Sequence, residues 1–186
     1  MEAIRKDKRY TYADYLTWDD DVRYELIDGV PYMMGAPNLR HQEIAGELYG
    51  QLRDFLKGKS CKPFIAPVDV RLNHRKGDNM VVQPDLLVVC DPKKLEDGKS
   101  VKGAPDFIIE ILSPSNAGHD QIVKLNKYMQ AGVREYWIVD PERKTVQVYI
   151  LKGGIYAAYA YGEETDSIPV SVLSGCAIDL KEIFIV

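Results

Sequence analysis

The chain has 186 residues, 46% hydrophobic and 28% charged, which is the composition of an ordinary globular protein and excludes a disordered or fibrous one. Its formal net charge of −4 excludes strong, indiscriminate attraction to polyphosphates, because that needs clustered Lys and Arg to displace counterions. Any polyanion site must be local, and the basic group Arg71, His74, Arg75 and Lys76 reads as a solvated turn.

Three cysteines, Cys61, Cys90 and Cys176, are widely spaced and form no C-x-x-C pair. Neither a disulfide framework nor a zinc ribbon is expected, and a reducing, cytoplasmic setting fits. No apolar run approaches the roughly 20 residues of a membrane span, and residues 1–10 are charged, without a leader's apolar centre. Residues 1–186 are expected to form a single domain with no membrane partner.

In chain order, residues 11–16 suit a short helix. Residues 23–34 read as a hairpin turning at Asp28-Gly29, a pair that supplies the positive φ angles of a tight turn. From 41 to 57 the residues Ile44, Leu48, Leu52, Phe55 and Leu56 recur on one helical face, and Gly58 stops the helix. Three extended segments follow, 62–72, 81–90 and 106–112. Leu86-Leu87-Val88-Val89 and Phe107-Ile108-Ile109 are apolar without alternation, as strands covered on both faces are.

Ser113-Pro114-Ser115-Asn116 reads as a turn, and 120–131 as a helix ended by Gly132, with Ile122, Leu125 and Met129 as its core stripe. Residues 135–139 form a strand, 145–151 and 155–161 a hairpin around Lys152-Gly153-Gly154, and a short strand near Ile178 leads to a helical turn at 180–184. The order predicts an α/β fold, a mixed sheet with helices on its faces.

Three residues in this frame carry chemistry. Glu110 interrupts an otherwise apolar strand, and a lone buried carboxylate costs several kcal/mol or more unless it is paired, protonated or metal-bound. Asp85 stands at the entry of the neighbouring apolar strand, behind Pro84. On adjacent strands the two can project to one point, where carboxylates about 4 Å apart repel by about 4 kcal/mol at an effective dielectric of 20. A divalent cation removes that repulsion and makes an oxygen-ligand site of the type magnesium uses with phosphates. The third residue, Lys124, shares with Asp120 and Tyr128 an i, i+4, i+8 stripe, from which it can hold an attacking water and neutralise phosphoryl charge. Each has a plainer alternative: Glu110 in a structural ion pair with Lys124, Asp85 as a turn residue, and Asp120 with Lys124 as a surface pair.

On these residues the chain resembles the PD-(D/E)XK nuclease superfamily, with Pro84-Asp85 as the signature pair and Glu110 as the second acid. More narrowly it resembles the Uma-type restriction-endonuclease-like proteins. The similar pieces are Tyr24-Glu25-Leu26-Ile27-Asp28-Gly29, His41 with Ile44 and Leu48, Gln83-Pro84-Asp85-Leu86, Gly103-Ala104-Pro105-Asp106, Glu110-Ile111-Leu112-Ser113-Pro114-Ser115, then Asp120, Lys124 and Tyr128, and Glu135 to Pro141. The resemblance implies a restriction-endonuclease-like core of helix, three strands, helix and strand, with an added N-terminal hairpin and C-terminal strands. It implies hydrolysis of nucleic-acid phosphodiesters, DNA first among substrates, with Mg²⁺ or Mn²⁺ held by Asp85 and Glu110, and a homodimer.

One departure stands out: the lysine expected two residues after the second acid is Leu112, and the resemblance then implies that Lys124 reaches the same point from the following helix. In this superfamily the first helix often adds a polar residue, for which His41 is the candidate, since its position centres on the face of Ile44 and Leu48. Glu25, charged within an apolar hairpin, is a further candidate. The missing lysine and the acidic net charge leave a second reading, a catalytically silent nucleic-acid-binding or regulatory domain that retains the fold.

Overall fold

A computed structural model describes residues 7–19, 21–75, 77–113 and 119–185, with side chains described for all of these except 119–121. Helix α1 (Tyr12–Tyr15) is one turn closed by a reciprocal cap between Thr11 and Asp14. Strands β1 (Tyr24–Ile27) and β2 (Val30–Met33) pair antiparallel with Ile27 opposite Val30. Asp28 and Gly29 make the two-residue turn, both with positive φ, 51° and 76°, as this class of hairpin requires. A Cβ on Gly29 would stand 2.9 Å from the Tyr10 carbonyl oxygen, so both conformation and space demand glycine there.

Helix α2 (Leu39–Leu56) starts where Asn38 Oδ1 accepts the His41 N–H at 2.8 Å, which satisfies one otherwise orphaned amide of the first turn. Its buried stripe is His41, Ile44, Ala45, Leu48, Leu52 and Leu56, the periodicity legible in the sequence. Burial of each large aliphatic side chain contributes roughly 1.5–3 kcal/mol.

The next strands are β3 (Lys62–Ile65), β4 (Val70–Arg71), β5 (Val81–Val82), β6 (Leu86–Val89), β7 (Val101–Lys102) and β8 (Phe107–Ile111). After α3 (His119–Ala131) come β9 (Glu135–Asp140), β10 (Thr145–Lys152), β11 (Ile155–Glu163), β12 (Ser167–Pro169), β13 (Ala177–Asp179) and α4 (Leu180–Ile183). A six-stranded sheet has the order β11-β10-β9-β8-β6-β3 and a five-stranded sheet the order β2-β1-β5-β4-β7. In the larger sheet only β8 and β9 are parallel, joined through α3 as a parallel pair must be by a crossover.

The expected strands 62–72 and 81–90 each prove to be two strands in different sheets. Pro67 and Pro84 stand in the breaks; neither has an N–H to give to a ladder, and the chain passes from one sheet to the other at each. Antiparallel β3 and β6 also place Cys61 next to Cys90, one step beyond the Lys62–Val89 pair, and the two form a disulfide. This corrects the expectation of unpaired thiols: the bond is made by strand register, which no local spacing of cysteines reports. It also removes the argument from free thiols to a reducing compartment. Among the described residues no helix is long and apolar enough to cross a membrane.

One face of the large sheet, with Leu86, Val88, Phe107, Ile109, Trp137 and Val139, packs under α2 and the C-terminal segment around Ile178 and Ile183. The other face, with Leu87, Val89, Ile108, Tyr136 and Ile138, packs under Tyr128 of α3 and under Val70, Val82 and Val101 of the small sheet. The stripe expected to be α3's core is only partly so: Leu125 packs against the core and Met129 is half-buried, but Ile122 is 67% exposed, whereas Tyr128 is fully buried and Lys124 nearly so.

Candidate active site

Side chains alternate across a strand, so Glu110 shares the face of Ile108, and Asp85, one residue before β6, shares the face of Leu87. Leu86 pairs with Ile109, which puts Asp85 and Glu110 at neighbouring positions on one side of the sheet, the side facing α3 and the small sheet. Both line a cleft of about 280 Å³ together with His41, Lys124, Arg23 and Gln83.

Lys124 Nζ lies 2.9 Å from Glu25 Oε1 and 3.1 Å from Glu110 Oε1. Tyr128 donates to the same Glu110 oxygen at 2.6 Å, and the Gln83 N–H donates to Glu25 Oε1 at 2.8 Å. Asp85 Oδ2 accepts from the Ile111 N–H at 2.8 Å and faces His41 Nε2 at 3.2 Å. Five sequence-derived candidates, Asp85, Glu110, Lys124, His41 and Glu25, are thus brought together from the residue before β6 and from β8, α3, α2 and β1. His41 belongs to the helix on the opposite face and reaches Asp85 because α2 begins beside the strand ends. Its Nδ1 is buried and has no hydrogen-bond partner among the described residues.

Two carboxylates, Glu25 and Glu110, flank one ammonium here, and Asp85 adds a third acidic group that acts on Glu110. Burial is the largest influence on Glu110 and, with the Asp85 and Glu25 carboxylates, raises its pKa to about 7 against the opposing pull of Lys124 and the Tyr128 hydroxyl. Burial alone would lower Lys124, but the Glu110 and Glu25 carboxylates outweigh it and hold the ammonium well above its ordinary value. His41 is likewise lowered by burial and raised more by Asp85, with Glu110 and the Ile111 backbone adding to the rise. Excess negative charge is what a cation relieves.

Among the described residues no group of three or more His, Cys, Asp or Glu side chains is arranged as a metal cage. The donor set still fits a magnesium-type ion, which takes one or two protein carboxylates and leaves its other positions to water and phosphate oxygens. Asp85 and Glu110 each commit one oxygen to protein partners, and among the described residues neither Asp85 Oδ1 nor Glu110 Oε2 has one.

Tyr128, Gln83 and the Ile111 N–H were not among the candidates. Tyr128 lay on the Lys124 stripe and was detectable from that spacing; the two backbone donors depend on strand placement and leave no trace in side-chain pattern. Asp120 lies outside the residues with described side chains, and the turn at 113–116 lies outside the described residues from 114 onward. Leu112, at the expected lysine position, is half-buried and gives its N–H to Val139. Arg71, in the basic group, is tied to Asp78 at 2.9 Å and lies over the Tyr12 ring, while Lys76 is outside the described residues.

A helix, three strands, a helix and a strand, with pairing antiparallel, antiparallel and parallel, make a restriction-endonuclease-like core. Residues 12–181 match the model of the Uma2 family, described as "Putative restriction endonuclease", and the chain belongs to that family. The crystal structure of a protein described as a "putative nuclease belonging to DUF820", from Anabaena variabilis ATCC 29413, superposes with a TM-score of 0.73 over 94% of this chain and 97% of that one. At 21% sequence identity this likeness speaks to the fold. None of the curated proteins compared with the chain matches it.

Proposed function

We propose that the protein is a divalent-metal-dependent endonuclease that hydrolyses nucleic-acid phosphodiesters, DNA in the first instance, with residues 1–186 acting as one unit. The observation that carries this reading is the presence of Asp85 and Glu110 on one face, lining one cleft, with Lys124 between Glu110 and Glu25. Asp85 and Glu110 would hold Mg²⁺ or Mn²⁺, which when bound supplies Lewis acidity to the phosphate and an activated water.

The protein's own groups divide the remaining work. Lys124, held charged, keeps its protons at neutral pH, so its role is electrostatic: it neutralises developing negative charge and orients water. Glu25 keeps Lys124 in place, and Tyr128 fixes the rotamer of Glu110. His41 holds Asp85 through Oδ2 and leaves the other carboxylate oxygen for a ligand. Arg23, on the cleft wall, suits a flanking phosphate. Cutting both strands of a duplex would call for two copies, and a homodimer belongs to this reading; light scattering at the assay concentration tests it.

The deciding experiment incubates the purified protein with single- and double-stranded DNA and RNA in Mg²⁺ or Mn²⁺. Cleavage abolished by EDTA and by Glu110→Gln is expected; cleavage that persists in either case refutes the assignment. A second reading, a silent binding module, is favoured by one observation: Lys124 Nζ is already engaged by two carboxylates. Nucleic-acid binding with no cleavage of any of the four substrates would favour it.

A further inference from the structure

The crossings at Pro67 and Pro84 open a wedge between the two sheets, and the wedge holds a second cavity, of about 570 Å³. That is within the roughly 300–1,000 Å³ of small-molecule sites. Phe64, Leu95 and Val101 give it apolar walls, and the exposed Lys62 and Lys99 stand on its lining as well.

Its polar groups are organised around Asp69. Oδ1 of Asp69 accepts from Tyr15 Oη at 3.1 Å and from Gln83 Nε2 at 2.9 Å, and Gln83 Nε2 also lies 3.2 Å from Tyr15 Oη. Among the described residues Oδ2 of Asp69 has no donor. Gln83, only 5% exposed, lines both this cavity and the cleft of Asp85 and Glu110. Its backbone N–H holds Glu25, so one residue separates the two cavities and belongs to both networks.

A cavity with apolar walls, an acceptor-only carboxylate and lysines in its lining has the chemistry of a nucleotide site. We propose that it binds a guanine base. Guanine carries two adjacent donors, N1–H and N2–H, on its pairing edge, and a carboxylate oxygen with free lone pairs accepts them; adenine, cytosine and uracil each present a single donor flanked by acceptors or carbon. Lys62 and Lys99 meet the attached phosphate. The base comes either from a strand lying in the neighbouring cleft, in which case the cavity sets base preference beside the cleavage point and rests on the nuclease reading, or from a free nucleotide.

The test is calorimetry in EDTA with GMP, IMP, AMP, CMP and UMP, so that metal binding and cleavage play no part and their failure is separately visible. GMP is expected to bind about tenfold more tightly than IMP, which lacks the 2-amino donor, and than the other three. Asp69→Asn should weaken GMP by about tenfold or more. Oligothymidylate with one central guanine is then set against bound GMP: competition identifies a strand base, and its absence a free nucleotide. Equal binding of GMP and IMP, or no binding of any nucleotide, overturns the proposal on the unmodified protein, whatever becomes of the Asp69 variant.

Discussion

Tyr128 donates its phenolic hydrogen to Oε1 of Glu110 across 2.6 Å, from a ring that has no exposure to solvent. Lys124, one helical turn earlier, meets the same oxygen, so α3 presents two donors to one carboxylate. Tyr128→Phe removes one of them and nothing else in size. It is expected to lower stability by about 1–2 kcal/mol and to raise the pKa of Glu110 further, since the hydroxyl favours its ionised form. Urea unfolding and the pH dependence of metal-free stability check both effects; an unchanged transition would show that the bond contributes nothing.

Lys124→Ala leaves Glu25 and Glu110 buried against each other without their common cation. Breaking a buried ion pair from one side costs about 3–5 kcal/mol, and a loss of that size is expected in chemical denaturation. Adding Glu25→Gln and Glu110→Gln to the Lys124 change should recover much of it, because the uncompensated charge is gone. Failure of the triple variant to recover stability would locate the cost in packing.

Metal-free protein should lose stability as pH rises from about 4.5 to about 7. Glu110 titrates near 7 when folded against 4.5 as its ordinary value, so over this interval the folded state holds the proton that the unfolded state has released, at a cost of up to about 3 kcal/mol. His41, raised in the fold, adds a decline in the same direction, its contribution being complete below its unfolded value and lost as pH passes its folded one. Thermal melts in EDTA should therefore be higher at pH 5 than at pH 7.5, and Glu110→Gln should flatten the slope. A slope of opposite sign would contradict the electrostatic description of the site.

The Cys61–Cys90 bond closes a loop of sequence separation 29, for which chain entropy gives a stabilisation of about 3–4 kcal/mol. It lies at the end of β6 remote from Asp85. Reduction should lower the melting temperature while leaving metal binding at the cleft unchanged; a parallel loss of metal binding would mean that the two ends of the strand are coupled.

Much of this was legible in residue pattern. Asp28-Gly29 announced its hairpin, the α2 stripe announced its buried face, and Glu110 stood out because a carboxylate in a doubly covered strand requires partners. Asp85 joined it through strand alternation alone. What escaped was long-range: Leu72 and Val82 continue apolar runs that look like single strands, and only the prolines hint that each run changes sheets. The Cys61–Cys90 pair depends on β3–β6 register. On α3 the apolar stripe of Ile122, Leu125 and Met129 marks the inward face only in part: Leu125 packs on the core and Met129 is half-buried, but the acids on β1 and β8 draw Lys124 and Tyr128 inward and leave Ile122 exposed. The cavity at Asp69 exists because of the sheet crossings and so left no local signal.

The central claim is that Asp85 and Glu110 share a divalent cation, and titration with Mn²⁺ followed by electron paramagnetic resonance tests it most directly. Binding by the unmodified protein that is lost in Asp85→Asn and in Glu110→Gln, with both variants folded by circular dichroism, is the result predicted. Mn²⁺ bound equally by all three proteins, or by none of them, would contradict it.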